Sequence, residues 1–324
     1  MKAVLCKSLD GPDALVVEDV EEPVAGPDQV IMRVRAAGLN FFDTLMTRGK
    51  YQFKPELPFS PGGEVAGEIE SVGSDVPGLS RGDRACAFVS WGGTREKLAI
   101  NARSVIPMPA TIGFDVAAGI SVTYGTAMHG LRDRGRLKSG ETVAVLGASG
   151  GAGLAAVEIA KLMGAKVIAL ASTEDKLDVC RQHGADLLLN YSDADIKDDL
   201  RALTDGRGVD VVYDCVGGRY AEPALRAMAW MGRYLVVGFA AGEIPKFPLN
   251  LMLLKSCDVV GVFWGQEVVR NPGRHRDNMK QVLQWVDEGH LRPHVHDTFA
   301  LEQTGQAIRL LDERVVKGKL IVTV

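Results

Sequence analysis

Thr142-Val143-Ala144-Val145-Leu146-Gly147-Ala148-Ser149-Gly150-Gly151-Ala152-Gly153-Leu154-Ala155-Ala156-Val157-Glu158-Ile159-Ala160-Lys161 runs an apolar strand pattern into a glycine-dense turn and on into a helical pattern. Such a turn closes tightly and lets the backbone approach a phosphate, while the free N–H groups and positive dipole of the helix start face the negative charge. Ser149, Gly150, Gly151, Ala152 and Gly153 are therefore the candidate cradle for a dinucleotide pyrophosphate. In the register Ala148-x-Gly150-x-x-Gly153, alanine stands where the fingerprint expects its first glycine, and it is small enough for the turn to form. By itself the turn is a weak signal, since any tight strand-to-helix connection uses glycine.

The segments around it strengthen it. Gly164-Ala165 ends the helix, Lys166 to Leu170 reads as a second strand, and Glu174 to His183 reads as a second helix closed by Gly184. Further strands are expected at Asp186 to Leu189, Val209 to Tyr213, Arg233 to Val237 and Val259 to Phe263, with helical segments between most of them. Strands interleaved with helices predict an α/β fold with a doubly wound parallel sheet. The first 118 residues differ in texture, with short Val-containing runs broken by Gly and Pro at Gln29 to Ala37, Gly63 to Val72 and Arg84 to Val89. The tail from His294 to Val324 returns to that texture. The economical organisation is a dinucleotide-binding domain over 119–265, inserted into a β-rich domain built from 1–118 and 266–324.

A chain of 324 residues suits two domains better than one core. With a net charge of −4 it carries no basic field of the kind nucleic acid or an anionic membrane surface requires. No apolar run approaches a membrane span, and Met1 to Cys6 enters a strand without a signal-peptide pattern, so a soluble cytoplasmic protein is expected. Cys6, Cys86, Cys180, Cys215 and Cys257 are scattered and lack a CxxC pair, which reads as buried small apolar residues with neither disulfides nor a metal site. His290, His294 and His296 have only Asp297 to complete a metal set, and a surface hairpin is the preferred reading. Arg270-Asn271-Pro272-Gly273-Arg274-His275-Arg276 could meet a phosphorylated substrate such as a coenzyme A ester, with a solvated loop ahead of a helix preferred.

Asn40-Phe41-Phe42-Asp43-Thr44, Pro61-Gly62-Gly63-Glu64-Val65-Ala66-Gly67, Val72-Gly73 and Gly82-Asp83-Arg84 occur in the order and spacing of the medium-chain dehydrogenase/reductase superfamily, which the whole chain resembles. The resemblance implies a GroES-like β-rich domain around the dinucleotide fold. Zinc alcohol dehydrogenases of that superfamily would carry Cys in place of Asn40 and His in place of Gly63. The cysteines of their structural zinc lobe are also missing, only Trp91-Gly92-Gly93-Thr94 bridging the strands there. What remains resembles the zinc-independent quinone oxidoreductase, zeta-crystallin-like branch, whose glycine turn is matched by Ser149 to Gly153 and whose usual Gln in the following helix is Glu158 here. Without a Lewis acid, the substrate must supply its own electrophilicity, as quinones and α,β-unsaturated carbonyls do by spreading the incoming charge onto an oxygen.

Asn40, Asp43 and Tyr51 are the candidates for the substrate side. Asn and Asp are also favoured helix caps, and Tyr51 could be a half-buried loop aromatic. The resemblance favours function, since quinone reductases keep these residue types here and related enoyl thioester reductases use a Tyr at this spacing as proton donor. It also implies Thr123 near the nicotinamide, against an ordinary capping role. No carboxylate ends the second strand, where one would bind the ribose 2′-hydroxyl of NAD. Ser172 and Thr173 with Lys176 can receive a 2′-phosphate instead, and Asn190-Tyr191 resembles the family's pair beside it, so NADPH is the expected cofactor. Val216 and Gly217, Phe239 and Ala240, and Phe263 and Trp264 match family positions along the nicotinamide half, and Lys319 a C-terminal position near the cofactor, with turn residues and a solvated edge-strand lysine as the plainer readings. The expected activity is hydride transfer from NADPH to a quinone in a homodimer. Reduction of an enone or enoyl-CoA, and a non-catalytic nucleotide-binding protein, are the alternatives.

Overall fold

The computed structural model describes residues Met1–Val324, which form two compact units, Met1–Val122 with Glu267–Val324, and Thr123–Gln266. In chain order the strands are β1 (Lys2–Cys6), β2 (Leu15–Asp19), β3 (Gln29–Leu39), β4 (Glu64–Val72), β5 (Arg84–Phe88), β6 (Lys97–Asn101) and β7 (Val105–Pro107) in the first unit. The second unit holds β8 (Thr142–Leu146), β9 (Lys166–Ala171), β10 (Leu187–Asn190), β11 (Val209–Asp214), β12 (Met228–Val236) and β13 (Asp258–Gly261). The chain then returns to the first unit with β14 (Val295–Ala300) and β15 (Lys319–Thr323).

In the first unit the sheet order is β14-β15-β3-β4-β5-β7, with β6 also pairing β3, and β1 and β2 form a separate hairpin sheet. Alternation along β3 decides its faces. Val30, Met32 and Val34 are buried with Val65, Ile69, Leu320 and Val322, while Arg33 and Arg35 point the other way and bond Glu70 and Glu68 across on β4. Pairing of Leu320 with Leu39 and Ile321 with Gly38 carries the end of the chain to the residues just before Asn40. The hairpin expected around His290, His294 and His296 is not formed. Instead β14 runs parallel to β15, a pairing that needs a crossover, and the helix Thr304–Asp312 supplies it.

The second unit is a six-stranded sheet ordered β10-β9-β8-β11-β12-β13, every neighbouring pair parallel. This is the doubly wound dinucleotide-binding order. Parallel strands covered on both faces are apolar throughout, and every residue of β8 is buried. β13 is shorter than expected, so Phe263 lies beyond it and Trp264 opens a helix, Trp264–Arg270. The arginine-rich stretch after it is helical too. Pro272 starts the helix Pro272–Asp287, because proline at a first turn forfeits no hydrogen bond and its fixed φ suits a helix start. All five cysteines are free thiols, four of them buried. No helix is long and apolar enough to cross a membrane.

Candidate active site

The glycine turn of the second unit has the geometry its composition predicts. Gly147 turns the chain at φ 70°, Gly150 precedes the helix Gly151–Leu162, and no side chain caps that helix. A Cβ on Gly153 would lie 2.2 Å from the Gly147 carbonyl oxygen and 2.7 Å from Ala148 Cα, so the helix packs on the turn only with a bare residue there. Ser149 is buried beside it. Uncapped first-turn N–H groups behind a tight turn suit a pyrophosphate.

At the end of β9, Ala171 is buried and Ser172 begins the turn. Lys176 Nζ lies 3.2 Å from Ser172 Oγ, and Ser192 Oγ donates to the Ser172 carbonyl at 2.9 Å. Thr173 Oγ1 donates to Asp175, which keeps that carboxylate on the first turn of its own helix, Glu174–Gln182. Tyr191 is tied by its N–H to the Ala171 carbonyl, and its ring lies 4.6 Å from that of Tyr220, over which the Arg219 guanidinium is stacked.

Two buried carboxylates in this unit escaped the sequence reading or entered it only as an oddity. Asp214, the last residue of β11, accepts the Val216 and Gly217 N–H groups on one oxygen and the Tyr234 hydroxyl on the other. Burial pushes its pKa up. Ala240 N–H in turn donates to the Cys215 carbonyl, so the Val216-Gly217 and Phe239-Ala240 turns are tied together. A lone Asp ending an apolar strand ahead of Val-Gly-Gly was the available signal. Glu158 accepts the Tyr124 hydroxyl and lies 2.8 Å from His183 Nδ1. Thr123 is buried on the same helix as Tyr124, Ser121–Met128, and Trp264 packs on that helix so closely that a Cβ on Gly125 would stand 2.7 Å from its ring. Phe239 and Phe263 are exposed.

In the first unit, Asn40 precedes the helix Phe41–Met46. Asp43 is fully buried, and its oxygens accept the Asn40 and Gly62 N–H groups at 2.8 and 2.9 Å. Burial pushes its carboxyl up to about 6, although both amides and the Lys319 charge pull the other way. Through these two bonds Asp43 ties the Gly62 loop to the helix start. The Trp91 to Thr94 segment supports the same loop, Thr94 Oγ1 donating to the Pro61 carbonyl and Gly93 N–H to that of Gly62.

Lys319 is neither solvated nor on an edge. Its buried ammonium donates to the Leu39 carbonyl, to Asn40 Oδ1 and to Glu64 Oε1, at 2.6, 2.7 and 2.7 Å. Asn40 Nδ2 also donates to Glu64 Oε1, and the Val122 N–H donates to Glu64 Oε2. All three ammonium protons have acceptors within this unit. Glu64 was missed as a member of this set; its place in Pro61-Gly62-Gly63-Glu64 was the only hint.

Tyr51 is half-buried, its ring 5.5 Å from that of Phe42 at an interplanar angle of 26°, and its hydroxyl makes no hydrogen bond within the protein. Burial, with a smaller push from the Asp43 charge, raises its pKa, so the phenol keeps its proton at neutral pH. At Gly63 a Cβ would stand 2.5 Å from Phe42 Cζ and 3.0 Å from the Ser90 carbonyl oxygen. Phe42 therefore occupies the room that a side chain at 63 would need. No group of three or more His, Cys, Asp or Glu side chains is placed to hold a metal ion.

A six-stranded parallel dinucleotide-binding unit, interrupting a β-rich unit with an Asn40-Glu64-Lys319 network and a half-buried tyrosine, defines a two-unit dehydrogenase/reductase. Known proteins agree. Residues 26–110 match the alcohol dehydrogenase GroES-like domain and residues 151–288 the zinc-binding dehydrogenase family. The chain is 38% identical, over 99% of its length and 88% of the relative's, to quinone oxidoreductase-like protein 2 homolog of Nematostella vectensis. A probable oxidoreductase from Mycobacterium abscessus shares 36% identity at a TM-score of 0.90, covering 100% of this chain and 99% of that one. The Escherichia coli quinone oxidoreductase, solved with NADPH, shares 26% identity at a TM-score of 0.93 over 100% of both chains. The protein belongs to the quinone oxidoreductase-like family of medium-chain dehydrogenases/reductases and is an oxidoreductase of that type.

Proposed function

We propose that the protein is a zinc-independent, NADPH-dependent reductase that delivers hydride to a quinone. The observation that carries this is the filling of the space beside Asn40 and Gly63. Asn40 is bonded to Lys319 and Glu64, and Phe42 occupies the room at residue 63, so neither position offers a thiolate or an imidazole. A carbonyl reduced here has to be electrophilic by conjugation. Bound NADPH would supply the hydride. The Ser149 to Gly153 turn would hold its pyrophosphate, and Ser172, Thr173, Lys176 and Tyr191 its 2′-phosphate. Thr123, Val216, Gly217, Phe239, Ala240, Phe263 and Trp264 would flank its nicotinamide half. Tyr51 would donate a hydrogen bond to the oxygen that gains charge, while Asn40, Asp43 and Lys319 fix the loop and helix around it. The same protonated phenol supports enoyl-thioester or enone reduction as a second reading, since it can serve there as proton donor.

Three expected outcomes follow from this assignment. Purified protein should contain no stoichiometric zinc and keep its activity in chelators; one zinc per chain, lost together with activity, contradicts it. Lys176→Ala should weaken NADPH about tenfold to a hundredfold while leaving NADH nearly untouched, as titration of both cofactors would show, because one charged contact is worth roughly 1.5–3 kcal/mol. Equal loss for both cofactors removes Lys176 from the phosphate site. Finally, β13 is an edge strand, with Leu249, Leu253 and Leu254 on the preceding helix 79%, 78% and 68% exposed, and we expect this edge to pair with its copy in a homodimer. Sedimentation should give a dimer at micromolar concentration, and a monomer there overturns it. Five free thiols suit the reducing cytoplasm, where we place the protein.

A further inference from the structure

We propose that Asp214 is a positioning residue for the nicotinamide half of the cofactor, fixing the Val216-Gly217 turn and the turn from Val237 to Ala241 as one surface at the ends of β11 and β12. The inference rests on the reading that NADPH lies with that half along these turns, and it concerns how the cofactor is held, whichever acceptor follows. Asp214 is 3% exposed, yet its three oxygens collect five donors. One carboxylate oxygen takes the Val216 and Gly217 N–H groups at 2.7 and 2.9 Å, and the other takes the Tyr234 hydroxyl at 2.5 Å. The backbone carbonyl takes the Val237 and Gly238 N–H groups at 3.0 and 3.1 Å. A single residue thus ties down the turn that follows each strand. Between the turns, the Ala241 N–H donates to the Val216 carbonyl at 2.8 Å, and a Cβ on Gly217, whose φ is 67°, would stand 3.0 Å from Phe239 Cδ1.

Register brings Tyr234 to the carboxylate. β11 and β12 run parallel with Asp214 opposite Val236, and Tyr234, two residues earlier, faces the same side of the sheet. Its ring meets Phe247 edge-on at 5.2 Å and 73°, so the same side chain anchors the segment following Ala241. In the order β10-β9-β8-β11-β12-β13 the topological switch falls between β8 and β11, and open α/β sheets bind ligands in that crevice. Val216 Cγ2 lies 2.8 Å from where a Cβ on Gly147 would be, which sets the Val216 turn directly against the glycine turn assigned to the pyrophosphate. A dinucleotide running from the glycine turn past Val216 therefore meets backbone whose course Asp214 sets. Without the carboxylate, two buried N–H groups lose their acceptor, and the turns must reorganise to satisfy them.

The test titrates the full-length protein calorimetrically with NADP⁺ and with adenosine 2′,5′-bisphosphate, which carries the adenine half alone, so that no turnover is needed. Asp214→Ala should weaken NADP⁺ about tenfold and leave the bisphosphate within about twofold. Asp214→Asn keeps an oxygen for both N–H groups and presents its amide to the Tyr234 oxygen, so it should hold NADP⁺ within about threefold of the starting protein. Tyr234→Phe, which keeps the ring against Phe247, should show the same split at about threefold and serves if Asp214→Ala fails to fold. Equal weakening of both ligands in Asp214→Ala or Tyr234→Phe reduces Asp214 to general packing and overturns the inference. So do NADP⁺ binding unchanged in both variants, Asp214→Asn as damaging as Asp214→Ala, and an unaltered protein that binds no NADP⁺. Quinone turnover separates the two readings. NADP⁺ weakened selectively, in a protein that reduces no quinone, upholds the positioning role and overturns the reductase reading. Unchanged NADP⁺ binding with quinone reduction intact overturns the positioning role alone.

Discussion

Replacing Tyr51 by phenylalanine is expected to leave NADPH affinity unchanged and to lower enoyl-thioester reduction about 100- to 10,000-fold, the usual contribution of a positioned general acid. Quinone reduction should fall less, by about tenfold, because the loss is one hydrogen bond of roughly 1.5 kcal/mol to a developing charge and water can protonate the product. The ring itself stays, so stacking on Phe42 and the packing behind it survive the change. Steady-state kinetics with both substrate classes, beside a cofactor titration, measures each part. If neither activity moves, Tyr51 is a packed loop aromatic and the substrate side lies elsewhere.

Lys319→Met should cost about 3–5 kcal/mol of stability, read from urea or guanidinium unfolding. The substitution keeps the apolar stem and removes a cation that is buried with three acceptors, leaving the fully buried Glu64 carboxylate without its counter-charge. A second change, Glu64→Gln, should recover much of the loss, since the uncompensated charge is its main source. Because the three ammonium protons already have acceptors, any loss of cofactor binding should affect NADPH and NADH alike. A Lys319→Met protein of unchanged stability that selectively loses NADPH would return Lys319 to the cofactor site.

What the sequence made legible is what local pattern encodes. Apolar runs interleaved with helices announce the parallel sheet, and the glycines between Leu146 and Leu154 announce the turn that Gly153 closes. Helix starts were less legible: proline and arginines at 270–276 looked like a loop, yet proline is compatible with a first turn. Least legible were partnerships between distant residues. Lys319 meets Glu64 across 255 positions, and no local pattern reports that its ammonium is buried. Asp43 reads both as a helix cap and as a substrate-side residue; only its two backbone donors, one of them Gly62, show that both oxygens face inward. Likewise Gly63 read as a lost ligand, and only the packing shows Phe42 filling its place.

The central claim is tested most directly by following NADPH oxidation by chelator-treated protein with a quinone, an enone and an enoyl-CoA ester supplied in turn as sole acceptor. The account predicts quinone-dependent oxidation, insensitive to the chelator and faster than with the other two acceptors. No oxidation with any quinone, or oxidation that returns only when zinc is added back, contradicts it.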